Sequence, residues 1–367
     1  MNIRPWQNLY IHVPFCAGKC DYCAFYSEGT GRDLMRPWLN KIKSELEKLT
    51  ENPPFHTVYI GGGTPTLMDP EMLTELFSTI RKQVPLQIDA EISIECNPET
   101  MTTEKAQILG NSVNRVSLGI QSFSPVARER IGRRGDPEKI FEAVSLLRTY
   151  GIRNIGCDLI YALPCQTIPE WEEELRQALA LEINHLSAYS LSVEEGTPLA
   201  LRYQENHETD DLSFEMEKST RRILQDAGLS RYEISNYAKT GFSCQHNTNV
   251  WYGETYLGLG PSACSFNGVD RFTQSLPIRK WLEGEAPVYD RISELERLGE
   301  IFIMGLRTVN GWKISDFEKI AEKSPLKIWN QQLASLETKG WLVMTDDRIA
   351  LSTAGLDFWN EAAMEIL

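Results

Sequence analysis

A sixfold alternation of short β-rich runs and amphipathic helical runs, filling the first two thirds of the chain, narrows the folds open to it more than any other feature. Strands are expected at residues 9–13, 57–60, 88–95, 115–120, 155–160 and 185–191. Helices are expected between and after them, at 33–50, 70–83, 103–109, 137–150, 169–181 and 210–226. Asp69-Pro70-Glu71, Asp136-Pro137 and Ile168-Pro169 are start signals, each setting a proline ahead of an acidic first turn. Strand–helix alternation at this spacing builds parallel βαβ units. Six units suit an open barrel, with a doubly wound sheet as the competing arrangement.

Past residue 226 the pattern changes. Residues 230–267 are rich in Gly, Asn, Ser and aromatics, lack a period, and read as an irregular segment packed on the barrel. Helical patterning resumes at 294–306, 314–322 and 326–338, followed by a hairpin over 341–351 turning at Asp346-Asp347, and a last helix from Thr353. Helices followed by a two-stranded wing suggest a small winged-helix-like domain. The expected division is 1–228 for the barrel, 229–290 for the connecting segment and 291–367 for the C-terminal domain. A winged helix invites a DNA-binding reading, but 51 acidic against 37 basic residues give a net charge of −14, and the wing region is itself acidic. No nucleic-acid partner is expected. No apolar run is long enough to span a bilayer, and residues 1–16 lack an apolar leader and read straight into a strand, so the expected location is cytoplasmic.

Disulfides are disfavoured in that compartment, so clustered cysteines point to metal or redox chemistry. Of the 8 cysteines, Cys16, Cys20 and Cys23 form a Cys-x3-Cys-x2-Cys run directly after the first strand. Cys96, Cys157, Cys165, Cys244 and Cys264 are scattered, and most are expected to be small core residues. Three closely spaced thiolates can hold three irons of a [4Fe–4S] cube and leave the fourth open to a ligand. Structural zinc, with His12 completing the set, and a redox dithiol are the competing readings; zinc prefers paired ligands, and the strand position of His12 is awkward for it. The second motif, Gly61-Gly62-Gly63-Thr64-Pro65-Thr66, follows the second strand. Glycines let a backbone approach a ligand closely, and the C-terminal ends of barrel strands are where β/α barrels carry their sites.

Together these two motifs, with Tyr22 before the third cysteine, resemble the radical S-adenosylmethionine (SAM) superfamily. More narrowly, they are similar to the branch containing the anaerobic coproporphyrinogen III oxidases (HemN) and the HemW heme chaperones. The similarity continues through Ile94-Glu95-Cys96-Asn97-Pro98, Arg115-Val116-Ser117-Leu118-Gly119-Ile120-Gln121-Ser122 and the run from Asp158 to Gln166. It reappears in Glu233-Ile234-Ser235-Asn236-Tyr237-Ala238, Cys244-Gln245-His246-Asn247, Leu306-Arg307-Thr308 and Leu351-Ser352-x2-Gly355, so it covers essentially the whole chain. The implied fold class is α/β: a partial (β/α)6 radical-SAM barrel with an irregular α+β extension and a small C-terminal winged-helix-like domain.

The resemblance also implies roles. Cys16, Cys20 and Cys23 would hold a [4Fe–4S] cluster whose free iron is chelated by SAM, and electron transfer would release methionine and a 5′-deoxyadenosyl radical. Gly62, Gly63 and Thr64 would line the amino-acid end of SAM, and Tyr10, Glu95, Gln121, Arg133 and Asp158 fall where the family places other SAM contacts. The bland alternatives are surface charge for Arg133 and loop capping for Glu95 and Asp158. The oxidases carry a fourth cysteine where this chain has Phe25, and a longer arm than the 15 residues that precede Cys16 here. Both departures look like the chaperones, which bind heme rather than oxidise coproporphyrinogen; the alternative is a radical SAM enzyme acting on a porphyrin. The chaperones' His-Asn-x-x-Tyr-Trp motif becomes His246-Asn247-Thr248-Asn249-Val250-Trp251, with Tyr252 next. His246 is expected beside the barrel mouth as a candidate heme ligand, or else as a hydrogen-bonded corner against the barrel. Implied partners are a heme-accepting protein, which can bring the chain to a membrane periphery, and a reductant such as flavodoxin or ferredoxin.

Overall fold

A computed structural model of the chain describes residues 1–29, 32–203 and 207–367, and only the backbone of residues 32 and 207–210. Strands β1 (Asn8–Val13), β2 (Phe55–Gly62), β3 (Leu86–Cys96), β4 (Arg115–Gln121), β5 (Asn154–Tyr161) and β6 (His185–Ser190) lie parallel and in chain order. The crossovers carry α1 (Arg32–Leu46), α2 (Pro70–Gln83), α3 (Thr103–Gly110), α4 (Pro125–Arg130), α5 (Glu138–Thr149) and α6 (Ile168–Ala180). The short α4 has no expected counterpart. Asp69 caps α2 by accepting from Met72 N–H, and Thr167 and Glu170 cap α6 reciprocally.

Side chains alternate along these strands. Leu9, Ile11, Val13, Val58, Ile60, Ile94, Val116, Leu118, Ile155 and Leu159 are buried in one apolar core with Leu39, Leu73, Leu147 and Leu175 of the helices. The intervening residues are polar: Asn8, Tyr10 and His12; Thr57 and Tyr59; Glu91, Ser93 and Glu95; Arg115 and Ser117; Asp158; His185 and Ser187. Side chains of a strand point to opposite faces with period two, so the curved sheet has an apolar outside under helices and a polar lumen.

The segment expected to be irregular is instead largely ordered. After α7 (His207–Asp226) come β7 (Ser230–Arg231), β8 (Asn236–Ala238), α8 (Gln245–Trp251), β9 (Tyr256–Leu259), β10 (Cys264–Phe266), β11 (Arg271–Thr273), α9 (Ile278–Glu283) and β12 (Val288–Asp290). β8 pairs antiparallel with β6, and β9 pairs parallel with β1, so one stretch of chain flanks both sides of the parallel set.

A second apolar core organises the C-terminal part: α10 (Glu294–Leu306), β13 (Trp312–Lys313), α11 (Ile314–Ala321), α12 (Pro325–Ile328), α13 (Asn330–Thr338), β14 (Leu342–Met344), β15 (Arg348–Leu351), α14 (Thr353–Asp357) and α15 (Trp359–Ile366). The helix expected over 326–338 breaks at Trp329, whose ring leaves the helical path to stack on Phe302 at 4.6 Å. β14 and β15 form the expected wing, with Asp346-Asp347 at its tip. The two parts are joined by the buried Glu233, which accepts from Arg307 at 2.8 Å. Among the described residues no helix is long and apolar enough to cross a membrane.

Candidate functional site

The C-terminal end of β1 runs into the loop that carries Cys16, Cys20 and Cys23, all free thiols and half-buried. The glycine turn after β2 is stitched to this loop. Gly63 N–H donates to Val13 O at 2.8 Å, and Thr64 N–H donates to Phe15 O at 2.7 Å. The Thr64 hydroxyl reaches Cys16 Sγ at 3.8 Å. A side chain at Gly63 would start 2.5 Å from the Phe15 carbonyl oxygen, and Gly62 has φ +109°, so the turn needs glycine at both positions.

The neighbouring strand ends complete the ring. On β3, Glu95 accepts from Gly62 N–H at 2.9 Å and from the Tyr59 hydroxyl at 3.0 Å. Burial, and then the charge of Asp158, push its pKa up to about 7, while the Gly62, Tyr59 and Arg115 contacts pull the other way. Asp158 on β5 accepts from Ser117 Oγ at 3.3 Å, and burial raises its pKa too. Gln121 closes β4 with φ +70°, a left-handed backbone that few side chains adopt. Its Oε1 is buried without a hydrogen-bond partner, as is Nε of Arg133. Arg133 lies between Gly119 O, to which it donates, and Cys20 Sγ at 4.0 Å. Tyr10 points its hydroxyl at His12 Nδ1, 3.0 Å away.

Eleven residues singled out from the sequence therefore converge on the mouth: Tyr10, Cys16, Cys20, Cys23, Gly62, Gly63, Thr64, Glu95, Gln121, Arg133 and Asp158. Their chemistry fits the groups the motifs imply. Three thiols on one short loop suit a cubane, a glycine backbone gives close approach, and Gln121 and Arg133 keep an unused acceptor and donor for a ligand's polar atoms.

His246 is a correction in position. It lies not beside the mouth but on the lumen floor, 6 % exposed, at the N-terminal ends of β1 and β2. Its Nδ1 is 2.7 Å from Thr57 Oγ1, its ring is 5.1 Å from that of Tyr59, and burial drives its pKa down to about 3. Glu91 anchors the start of α8 by accepting from the N–H groups of Gln245 and His246 at 2.9 and 3.2 Å. Trp251 stacks with Arg307, and Tyr252 bonds to Thr308 and Gly311, so both face the C-terminal part. Of the scattered cysteines, Cys96, Cys157 and Cys244 are buried as expected, whereas Cys165 is exposed. Sequence reasoning passed over the lumen roles of His12, Glu91 and Arg115. The signal that finds them is the period-two polar face itself, Asn8-x-Tyr10-x-His12 on β1 and Glu91-x-Ser93-x-Glu95 on β3.

Comparison with known proteins gives a consistent set of matches. The radical SAM superfamily model matches residues 10–178, and the HemN C-terminal domain model matches residues 292–358. The heme chaperone HemW of Lactococcus lactis is 30 % identical over 98 % of this chain and 97 % of its own. The heme chaperone HemW of Haemophilus influenzae is 30 % identical over 97 % of each. Among solved structures, the coproporphyrinogen III oxidase HemN of Escherichia coli superposes with a TM-score of 0.84 over 99 % of this chain and 90 % of that one, at 20 % identity, a likeness of fold.

Proposed function

We propose that this chain, which belongs to the HemW family of radical SAM proteins, binds heme and passes it to an acceptor protein without oxidising coproporphyrinogen. The observation that carries the reading is near-full-length similarity to heme chaperones. Phe25 supports it: this residue stands where the oxidases place a fourth cysteine, and its side chain is 72 % exposed beside the third.

In this reading Cys16, Cys20 and Cys23 hold a [4Fe–4S] cluster at the barrel mouth. When bound, the cluster supplies an electron to the SAM sulfonium. Gly62, Gly63 and Thr64 line the amino-acid end of SAM through the backbone of the glycine turn. Arg133 pairs with its carboxylate, and Glu95 and Asp158 accept from its hydroxyl and amino hydrogens. Gln121 offers its unused amide oxygen. The chain acts in the cytoplasm, draws electrons from a flavodoxin or ferredoxin, and meets a membrane only through its acceptor. A second reading, a radical SAM enzyme acting on a porphyrin, is favoured by the completeness of the ring around the mouth.

The test is anaerobic reconstitution followed by heme titration, then a SAM-cleavage assay with and without coproporphyrinogen III. A Soret band on heme addition, with no protoporphyrinogen formed, is the expected outcome. Robust protoporphyrinogen formation would replace this reading with the enzymatic one.

A further inference from the structure

One residue of the mouth belongs to neither the cluster cysteines nor the ring that faces a ligand, yet it touches all the pieces that must stay aligned. His12 sits on β1 between Tyr10 and the cysteine loop, 5 % exposed. Its Nε2 is 3.2 Å from the carbonyl oxygen of Tyr26, where the cysteine loop returns to the barrel. A carbonyl only accepts, so Nε2 carries the proton and Nδ1 is left with a lone pair. Nδ1 therefore accepts from the Tyr10 hydroxyl at 3.0 Å. The same ring edge lies over the glycine turn, where a Cβ on Gly62 would be 2.5 Å from both Nδ1 and Cε1. The backbone of His12 is held as well: Trp38 Nε1 of α1 donates to its carbonyl at 3.2 Å, and Gly260 packs closely on that oxygen.

We infer that His12 is a positioning residue: its imidazole sets the return of the cysteine loop, the Tyr10 hydroxyl and the Gly62 backbone in one register, and so sets SAM affinity without touching SAM. The inference rests on the reading that the mouth holds a cluster and SAM. Each of the two ring nitrogens has one task, and neither is left for a metal. Loss of the Nε2 bond releases the Tyr26 carbonyl from β1, and loss of the Nδ1 bond frees the Tyr10 hydroxyl to turn away from the mouth. Misplacement of positioned groups by even a fraction of an ångström weakens what they hold together.

The experiment compares wild type, His12→Phe and His12→Gln after anaerobic reconstitution. Phenylalanine keeps a ring over Gly62 but makes neither hydrogen bond. The amide nitrogen of glutamine can reach the place of Nε2 and restore the bond to Tyr26 O. Iron content is measured, with SAM affinity by equilibrium dialysis and the EPR spectrum of the reduced cluster with and without SAM. The expected result is iron near the wild-type level in both variants, SAM affinity about tenfold weaker in His12→Phe, and an intermediate value in His12→Gln. The SAM-induced change in the EPR spectrum should be diminished in the same order. Wild-type affinity and an unaltered SAM-induced change in His12→Phe would overturn the inference. So would equal loss of iron in both variants with no rescue by glutamine, which marks a role in folding alone. A wild-type protein that takes up iron but shows no SAM-induced change would instead overturn the underlying reading of the mouth.

Discussion

Replacing Glu95 with glutamine should remove a loss of stability that sets in as pH rises. The folded state holds the Glu95 proton up to about pH 7, whereas an unfolded glutamate releases it near 4.5. Between those values the native protein binds more protons than the unfolded chain, so unfolding free energy falls as pH increases through the window. A shift of this size corresponds to about 3 kcal/mol, a ceiling because solvent at the mouth reaches the carboxylate. Glutamine cannot ionise. It keeps an acceptor for only one of the two donors, Tyr59 Oη and Gly62 N, and sets an NH2 against the other, which costs about 1 kcal/mol. The variant should therefore be about as stable as wild type near pH 5, where the curves cross, and more stable by about 2 kcal/mol at pH 8. Urea unfolding of cluster-free protein from pH 5 to 8, with thiols kept reduced, measures this. Burial also raises Glu45 and Glu174, but those groups tilt both proteins alike. Asp158 is relieved together with Glu95, so the difference between the curves reports the pair. Parallel curves across the whole range would refute the argument that Glu95 is held protonated by burial and Asp158.

Three further outcomes follow from the geometry. Cys20→Ala should lose the brown absorbance and most of the roughly four irons per chain that reconstituted wild type carries; iron analysis decides it, and stoichiometric zinc with no iron in wild type would count against the cluster. Gly63→Ala should weaken SAM binding at least about tenfold, because its Cβ must clear a backbone oxygen 2.5 Å away in a turn pinned on both sides; equilibrium dialysis giving wild-type affinity would show that the turn can give way. His246→Ala should cost about 2 kcal/mol in stability through the lost Thr57 bond and the cavity left behind. Heme absorbance should change little, and loss of the Soret band at unchanged stability would instead make His246 a ligand that reaches heme by displacement of α8.

The barrel was legible because its signals are local. Val58, Ile60, Ile94, Val116 and Leu118 are apolar where the helices cover them, and the starts of α2 and α6 are written in Asp69-Pro70 and Ile168-Pro169. β7 to β12 were not legible, since strands of two to four residues are too short to show a period and exist only because a partner strand is already in place. The motif around His246 points to the mouth because it carries no record of depth; Glu91 and Thr57, far away in the chain, hold it on the floor. His12 looks like a core histidine from its strand position. Its importance lies in what Tyr10, Tyr26 and Gly62 do around it.

The arrangement by which residues after 229 flank both β1 and β6 bears on how the chain can be made and cut. A nascent chain that has emerged only to residue 228 has all six parallel strands but no partner for the outer backbone of β1 or β6. Its lumen floor is open, with Arg115 and Glu91 bare to water where α8 would lie. Open strand edges, such as that of β1 with Leu9, Ile11 and Val13, are templates for pairing between molecules. A fragment ending at 228 should accordingly aggregate, whereas one ending near 290 retains both flanking strands and the floor helix. During synthesis the same logic delays closure until β9 leaves the ribosome, so cluster insertion into the Cys16–Cys23 loop should follow translation of that strand rather than precede it.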